Sequence, residues 1–134
     1  MENKILLIDD DSSFLGQAIE VLKKNKYKVG FALNAVDAFK ILEKTQYDLI
    51  ILDINMPIKD GFDILQELKV SKSYKLIPVL MSTSETQKEV VLKAIKYGAD
   101  DYIVKPLNEE ILLNKVYMLL KIRNFIKRWG IIPN

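Results

Sequence analysis

Four runs of aliphatic residues punctuate the chain, at residues 5–8, 49–52, 77–81 and 102–104, and polar residues do not alternate with apolar ones inside them. Alternation would mark a strand with one wet face, whereas unbroken runs suit strands buried on both faces of a parallel sheet. A fifth, weaker run at 28–32, with Val29 and Phe31 toward a core, reads as an edge strand. Between the runs lie apolar residues at helical spacing: Phe14, Ala18 and Leu22; Ala35, Ala38 and Leu42; Phe62, Leu65 and Leu68; Val90, Val91, Ala94 and Ile95. Breakers stand at the joints, at Pro57, Gly61, Pro78, Gly98 and Pro106, and Gly98 is placed to close a helix in the left-handed conformation. Strand and helix thus alternate five times. That pattern predicts an open α/β sheet with right-handed crossovers.

The last stretch departs from the rest. Residues 107–129 read as one long, unusually apolar helix, followed by a tail over 130–134. Leu112, Val116, Leu119 and Leu120 supply the single stripe that a helix on a sheet needs. Leu113, Tyr117, Met118, Ile122, Phe125, Ile126 and Trp129 spread onto other faces and call for cover. The expected organisation is one domain over residues 1–121, with a helix extension and tail over 122–134.

A chain of 134 residues, 49% hydrophobic and 28% charged, has material for one real core. The net charge of +2 gives no reason to expect nucleic acid or a membrane surface as partner. The absence of both Cys and His narrows the chemistry further. It removes Ser-His-Asp and Cys-His catalysis, the usual zinc sites and any phosphohistidine within the chain. No segment approaches the ~20 apolar residues of a membrane span, and the short N-terminal run falls short of a signal peptide. A cytoplasmic location is expected.

In open parallel sheets, ligands bind beyond the carboxyl ends of the strands. Those ends carry Asp9, Asp10 and Asp11 after the first run, Asp53-Ile54-Asn55 after the third, Ser82-Thr83-Ser84 after the fourth and Lys105-Pro106 after the fifth. Converging carboxylates repel one another unless a cation sits among them, and oxygen donors without imidazole or thiolate point to Mg²⁺. An adjacent ammonium and hydroxyl make such a place suited to a phosphoryl group. Lys105 would neutralise its oxygens, Thr83 would donate to one, and Asp53 would attack in line.

On these stretches the sequence resembles the receiver domains of response regulators in two-component signalling. The matching segments are Asp9-Asp10-Asp11 after residues 5–8, Leu52-Asp53-Ile54-Asn55-Met56-Pro57 with Asp60-Gly61, Ser82-Thr83 after residues 78–81, and Gly98-Ala99 through Tyr102-Ile103-Val104-Lys105-Pro106. The resemblance spans about residues 3–121 and is closest in kind to single-domain chemotaxis receivers. It implies a doubly wound, flavodoxin-like, five-stranded parallel sheet of order 2-1-3-4-5, with helices on both faces. By the same resemblance Asp53 is the phosphoacceptor, Asp10 a direct Mg²⁺ ligand and Asp9 the holder of metal-bound water, while Asn55 offers its backbone carbonyl. Thr83 and Lys105 bind phosphoryl oxygens, Thr83 and Tyr102 form the switch, and the Lys105–Pro106 bond is cis. The implied partner upstream is a histidine kinase or phosphotransfer protein. Downstream, the fourth helix, fifth strand and last helix relay the signal to a second copy or an effector domain. Such a protein catalyses its own phosphorylation and dephosphorylation rather than repeated turnover of a substrate.

Plainer readings stand beside these. Asp11 or Ser12 reads as an N-cap, and Ser82 or Ser84 with Glu85 or Gln87 three residues on reads as a capping box. Gly61 and Pro57 read as turn formers. An aspartyl phosphatase would want a second acid two residues after Asp53, where Asn55 stands, and a nucleotide-binding loop would want glycines after the first strand. The remaining rival is a docking module with the same fold that works without phosphorylation.

Overall fold

The computed structural model describes residues 2–56, 59–84 and 87–130. Along the chain come β1 (Lys4–Ile8), α1 (Ser12–Lys24), β2 (Lys28–Ala32), α2 (Ala35–Lys44) and β3 (Leu49–Asp53). They are followed by α3 (Gly61–Val70), β4 (Val79–Thr83), α4 (Lys88–Lys96), β5 (Asp101–Val104) and α5 (Glu109–Arg128). The strands form one sheet in the order β2-β1-β3-β4-β5, and every neighbouring pair is parallel.

The unbroken apolar runs are explained by the two layers of helices. Ile5, Leu7, Leu49, Ile51 and Leu80 point to one face and pack with Phe14, Ala18, Leu112 and Val116 of α1 and α5. Leu6, Ile8, Ile50, Leu52 and Met81 point to the other face, against Ala38, Leu42, Leu65, Leu68 and Ala94 of α2, α3 and α4. Each fully buried Leu or Ile contributes about 1.5–3 kcal/mol by leaving water, so neither face tolerates the polar residues of an alternating strand. β2, paired along one edge alone, buries only Ala32; Val29 packs partly against the core, but Phe31, expected to face it, is 52% exposed.

Two elements start two residues later than the sequence expectation. β4 starts at Val79, not at residue 77, because Pro78 has no N–H for the ladder and joins it only through its carbonyl, which accepts from Ile50 N–H at 3.0 Å. α5 starts at Glu109, two residues late, because the Asn108 side chain accepts the Ile111 N–H and caps the helix. Asp11 caps α1 by accepting from the N–H groups of Ser13 and Phe14, as anticipated. The capping box at Ser82 or Ser84 does not form: Ser82 is buried within β4, and the N-cap of α4 is Gln87, whose side chain makes no cap bond. Pro57, Glu85 and the tail residues 131–134 lie outside the described residues. Gly98, at φ 103°, follows Tyr97 at the end of α4, and the N–H groups of Gly98 and Ala99 close on the carbonyls of Ile95 and Ala94.

The expected division after Lys121 falls inside α5, which continues to Arg128. Arg123 is 4% exposed and lies beneath the amino ends of β3 and β4, donating to the carbonyls of Leu76 and Tyr47. Asp48 binds Lys127 Nζ at 2.8 Å, and its carboxylate lies 3.7 Å from Arg123 Nε. Asn3 and Asn124 exchange side-chain hydrogen bonds at 2.8 and 3.1 Å. Residues beyond Lys121 therefore tie α5 to the sheet. No described helix is long and apolar enough to cross a membrane.

Candidate functional site

Three strand ends converge at the carboxyl edge. The Asp9 N–H donates to the Ala32 carbonyl at 3.1 Å, which fixes the end of β1 against β2, and its side chain turns back to accept the Asp11 N–H at 2.9 Å. Asp53 ends β3 next to Ser82 of β4, and the following N–H, from Ile54, donates to the Ser82 carbonyl. The Asn55 N–H donates to Asp53 Oδ1 at 3.3 Å. Lys105 follows β5, its N–H bound to the Thr83 carbonyl at 2.7 Å, and the bond to Pro106 is cis. From there its ammonium reaches Asp9 at 3.0 Å, Asp11 at 3.6 Å and Asp53 at 3.7 Å, and lies 4.7 Å from the centre of the Phe14 ring.

Burial sharpens the electrostatics. Asp9 and Asp53 are 1% and 4% exposed, while Asp10 faces solvent. Burial, reinforced by the neighbouring Asp9 charge and opposed by Lys105, pushes the Asp53 carboxyl up to about 7. Asp11 is held below the usual carboxylate range, first by the Phe14 N–H and also by Lys105. Burial pulls the Lys105 ammonium down, yet hydrogen bonding and charge from Asp9, with Asp53 and Asp11, more than offset it and raise its pKa. Asp9, Asp10 and Asp53 each offer an oxygen within 4.8 Å of the others. Asp9 Oδ2 is buried and, beyond its ion pair with Lys105, accepts no hydrogen bond from the described residues. A hard divalent cation fits such a donor set.

The sequence-based residues are thus gathered, with two distinctions. Asn55 is exposed and touches Asp53 through its N–H, standing beside the carboxylate cluster rather than in it. Thr83 is fully buried, and Tyr102 lies one step away across β4 and β5: Met81 pairs with Tyr102 and Thr83 with Val104, which puts Thr83 and Tyr102 on one face. Lys115 spans that region, donating to the Tyr102 carbonyl at 2.7 Å and to Asp101 at 2.8 Å.

Gly61 does more than form a turn. Its N–H donates to the Ile54 carbonyl at 2.8 Å, and a Cβ there would run into the Asp53 carbonyl and lie 2.7 Å from Ile54 Cα. Only glycine lets the start of α3 approach the backbone carrying Asp53 so closely. The Asp60-Gly61 pair was the available signal, since Asp60 caps α3 by accepting the Asp63 N–H.

The family model of the response regulator receiver domain matches residues 5–117. Transcriptional regulatory protein RprY of Bacteroides fragilis is 37% identical over 119 residues, covering 88% of this chain and 49% of that protein. The chain spans about half or less of the curated relatives it matches. Among solved structures, chemotaxis protein CheY4 of Vibrio cholerae is 32% identical with a TM-score of 0.84, covering 89% of this chain and 99% of that one. The BeF3-activated DrrB receiver domain is 31% identical with a TM-score of 0.80, covering 90% and 99%.

Proposed function

We propose that this chain, which belongs to the response regulator receiver domain family, takes a phosphoryl group onto Asp53 from the phosphohistidine of a histidine kinase or phosphotransfer protein. The observation that carries this reading is the buried Asp53 carboxylate with the Lys105 ammonium 3.7 Å away and two further carboxylates beside it. An Asp53 oxygen attacks phosphorus, the O–P bond forms as the P–N bond breaks, and the histidine leaves. Lys105, already held over the cluster by Asp9, balances the charge spread over the phosphoryl oxygens. The Asn55 N–H orients the nucleophile, and Thr83 donates its hydroxyl to a phosphoryl oxygen. Gly61 keeps the Asp53 backbone in place beneath them.

Mg²⁺ suits the site, where Asp9, Asp10 and Asp53 supply only hard oxygens, and the Asn55 backbone carbonyl would add a further one. Bound there, it would offset the repulsion among the carboxylates and the phosphoryl oxygens.

The relay follows from the shared face of Thr83 and Tyr102. Drawing Thr83 toward a phosphoryl oxygen leaves room that the Tyr102 ring can enter, which biases a two-state arrangement of α4, β5 and α5. Leu92, Ile95, Val104 and Ile111, each 40% or more exposed, lie on the elements of that surface. Incubation with acetyl phosphate and Mg²⁺ should label the wild-type chain and leave Asp53→Asn unlabelled. Equal labelling of the two would remove Asp53 from the reaction.

A further inference from the structure

The lower half of α5, at the opposite end of the sheet from Asp53, carries an exposed apolar stripe. Met118, Ile122, Phe125 and Trp129 recur at intervals of four, three and four residues and are 56%, 57%, 58% and 67% exposed. That spacing is the seam by which one helix packs along another. The opposite side of the helix is held to the sheet through Leu119, Leu120 and Arg123, so the seam does not face the domain's own core. Phe125 and Trp129 stack on each other with ring centres 5.9 Å apart. They line a hollow of about 520 Å³ with Lys121, Asn124 and Arg128. On the other flank Ile122 and Ile126 border a second hollow of about 150 Å³ with Leu76, Lys69 and Lys75.

Charge decides what fits. No Asp or Glu occurs in the chain after Glu110, while Lys121 and Arg128, both exposed, sit seven residues apart along one flank of the seam. In the second hollow the only acid among the described residues is Asp100, already paired with Lys69 at 3.1 Å. A second copy laid helix against helix along this seam would set Lys121 and Arg128 against an α5 that carries no acid after Glu110. A flat lipid surface would leave both flanking hollows unfilled.

We infer that the seam of Ile122, Phe125 and Trp129, with Lys121 and Arg128 beside it, docks an acidic amphipathic helix of a partner protein, by a contact separate from the phosphoryl site. The apolar face of such a helix would cover the seam and its Glu or Asp residues would meet Lys121 and Arg128.

Trp129 is the sole tryptophan, so its fluorescence reports on this seam alone. The full chain would be titrated with a designed helical peptide of about four turns carrying Leu along one face and Glu on its flanks. Parallel titrations would use the same peptide with Lys for Glu, and vesicles containing phosphatidylglycerol. The expected result is a blue shift of Trp129 emission with the Glu peptide, weakened at least tenfold in Lys121→Glu/Arg128→Glu and weakened by added salt, with Asp53→Asn binding as wild type. Circular dichroism would verify that the charge-reversed variant is folded. The inference is overturned by no shift with the Glu peptide or by equal binding of the Lys peptide. It is equally overturned by a shift with vesicles alone, or by one that grows with protein concentration in the absence of peptide.

Discussion

Replacing Asp53 with asparagine removes a buried charge while keeping the size of the side chain, so its effect on stability reads out the strain in the metal-free site. The folded chain keeps the Asp53 proton up to about pH 7, whereas an unfolded aspartate releases it near 3.8. Between those values the folded state binds more protons than the unfolded one, so stability falls as pH rises. The contribution is fully present below the unfolded value and lost as pH climbs through about 7. A displacement from 3.8 to about 7 corresponds to roughly 4 kcal/mol against the charged form. Because Asp9 shares the repulsion, and the introduced amide is itself a buried polar group, a gain of about 2–4 kcal/mol for Asp53→Asn at pH 7.5 is expected. Urea unfolding with a chelator present measures it, and the gain should shrink below about 1 kcal/mol at pH 4, where folded Asp53 is already neutral. Adding Mg²⁺ should raise wild-type stability far more than that of Asp53→Asn. If Asp53→Asn is less stable than wild type at pH 7.5, or if its gain is the same at pH 4, the repulsion described for this cluster is wrong.

Three other outcomes follow from the same geometry. Gly61→Ala forces a methyl group into the backbone of Asp53 and Ile54; thermal unfolding should show a loss of about 1–3 kcal/mol, and acetyl phosphate labelling should slow. Truncation after Lys121 removes Arg123 and Lys127 and leaves Asp48 buried without its cations. A loss of about 3–5 kcal/mol is expected, and an unchanged unfolding midpoint would show that the domain ends where the sequence alone suggested. Thr83→Ala should still accept label on Asp53 but lose the change in amide exchange across α4 and β5, which hydrogen exchange with and without beryllofluoride would show.

The central strands were legible because burial on both faces leaves no alternation to confuse with a helix. β2 was legible as an edge for the converse reason, its faces being only partly covered. The convergence of the candidate residues was legible because a parallel sheet brings residues at or just after the carboxyl end of each strand to one edge, so Asp9, Asp53, Thr83 and Lys105 needed only approximate strand ends. What the sequence did not disclose depends on three-dimensional closeness between distant segments. Nothing local marks Arg123 as the partner of Asp48, far earlier in the chain, since an Arg in an exposed-looking helix reads as solvated until the helix is seen passing under β3. Nor does Gly61 reveal, as a lone glycine after an acid, that the Asp53 carbonyl occupies the space of its missing Cβ. The capping box failed because β4 runs on through Thr83 and α4 waits until Lys88, which leaves Ser82 inside the sheet and Ser84 short of the helix.

If the proposed chemistry holds, Asp53, and no other carboxylate of the cluster, carries the phosphoryl group. Reduction with borohydride after treatment with acetyl phosphate and Mg²⁺ converts an aspartyl phosphate to homoserine, and peptide mass spectrometry then locates it. Homoserine is expected at position 53 alone, and absent when Mg²⁺ is chelated. Homoserine at Asp9, Asp10 or Asp11, or none at any position with the metal present, would contradict it.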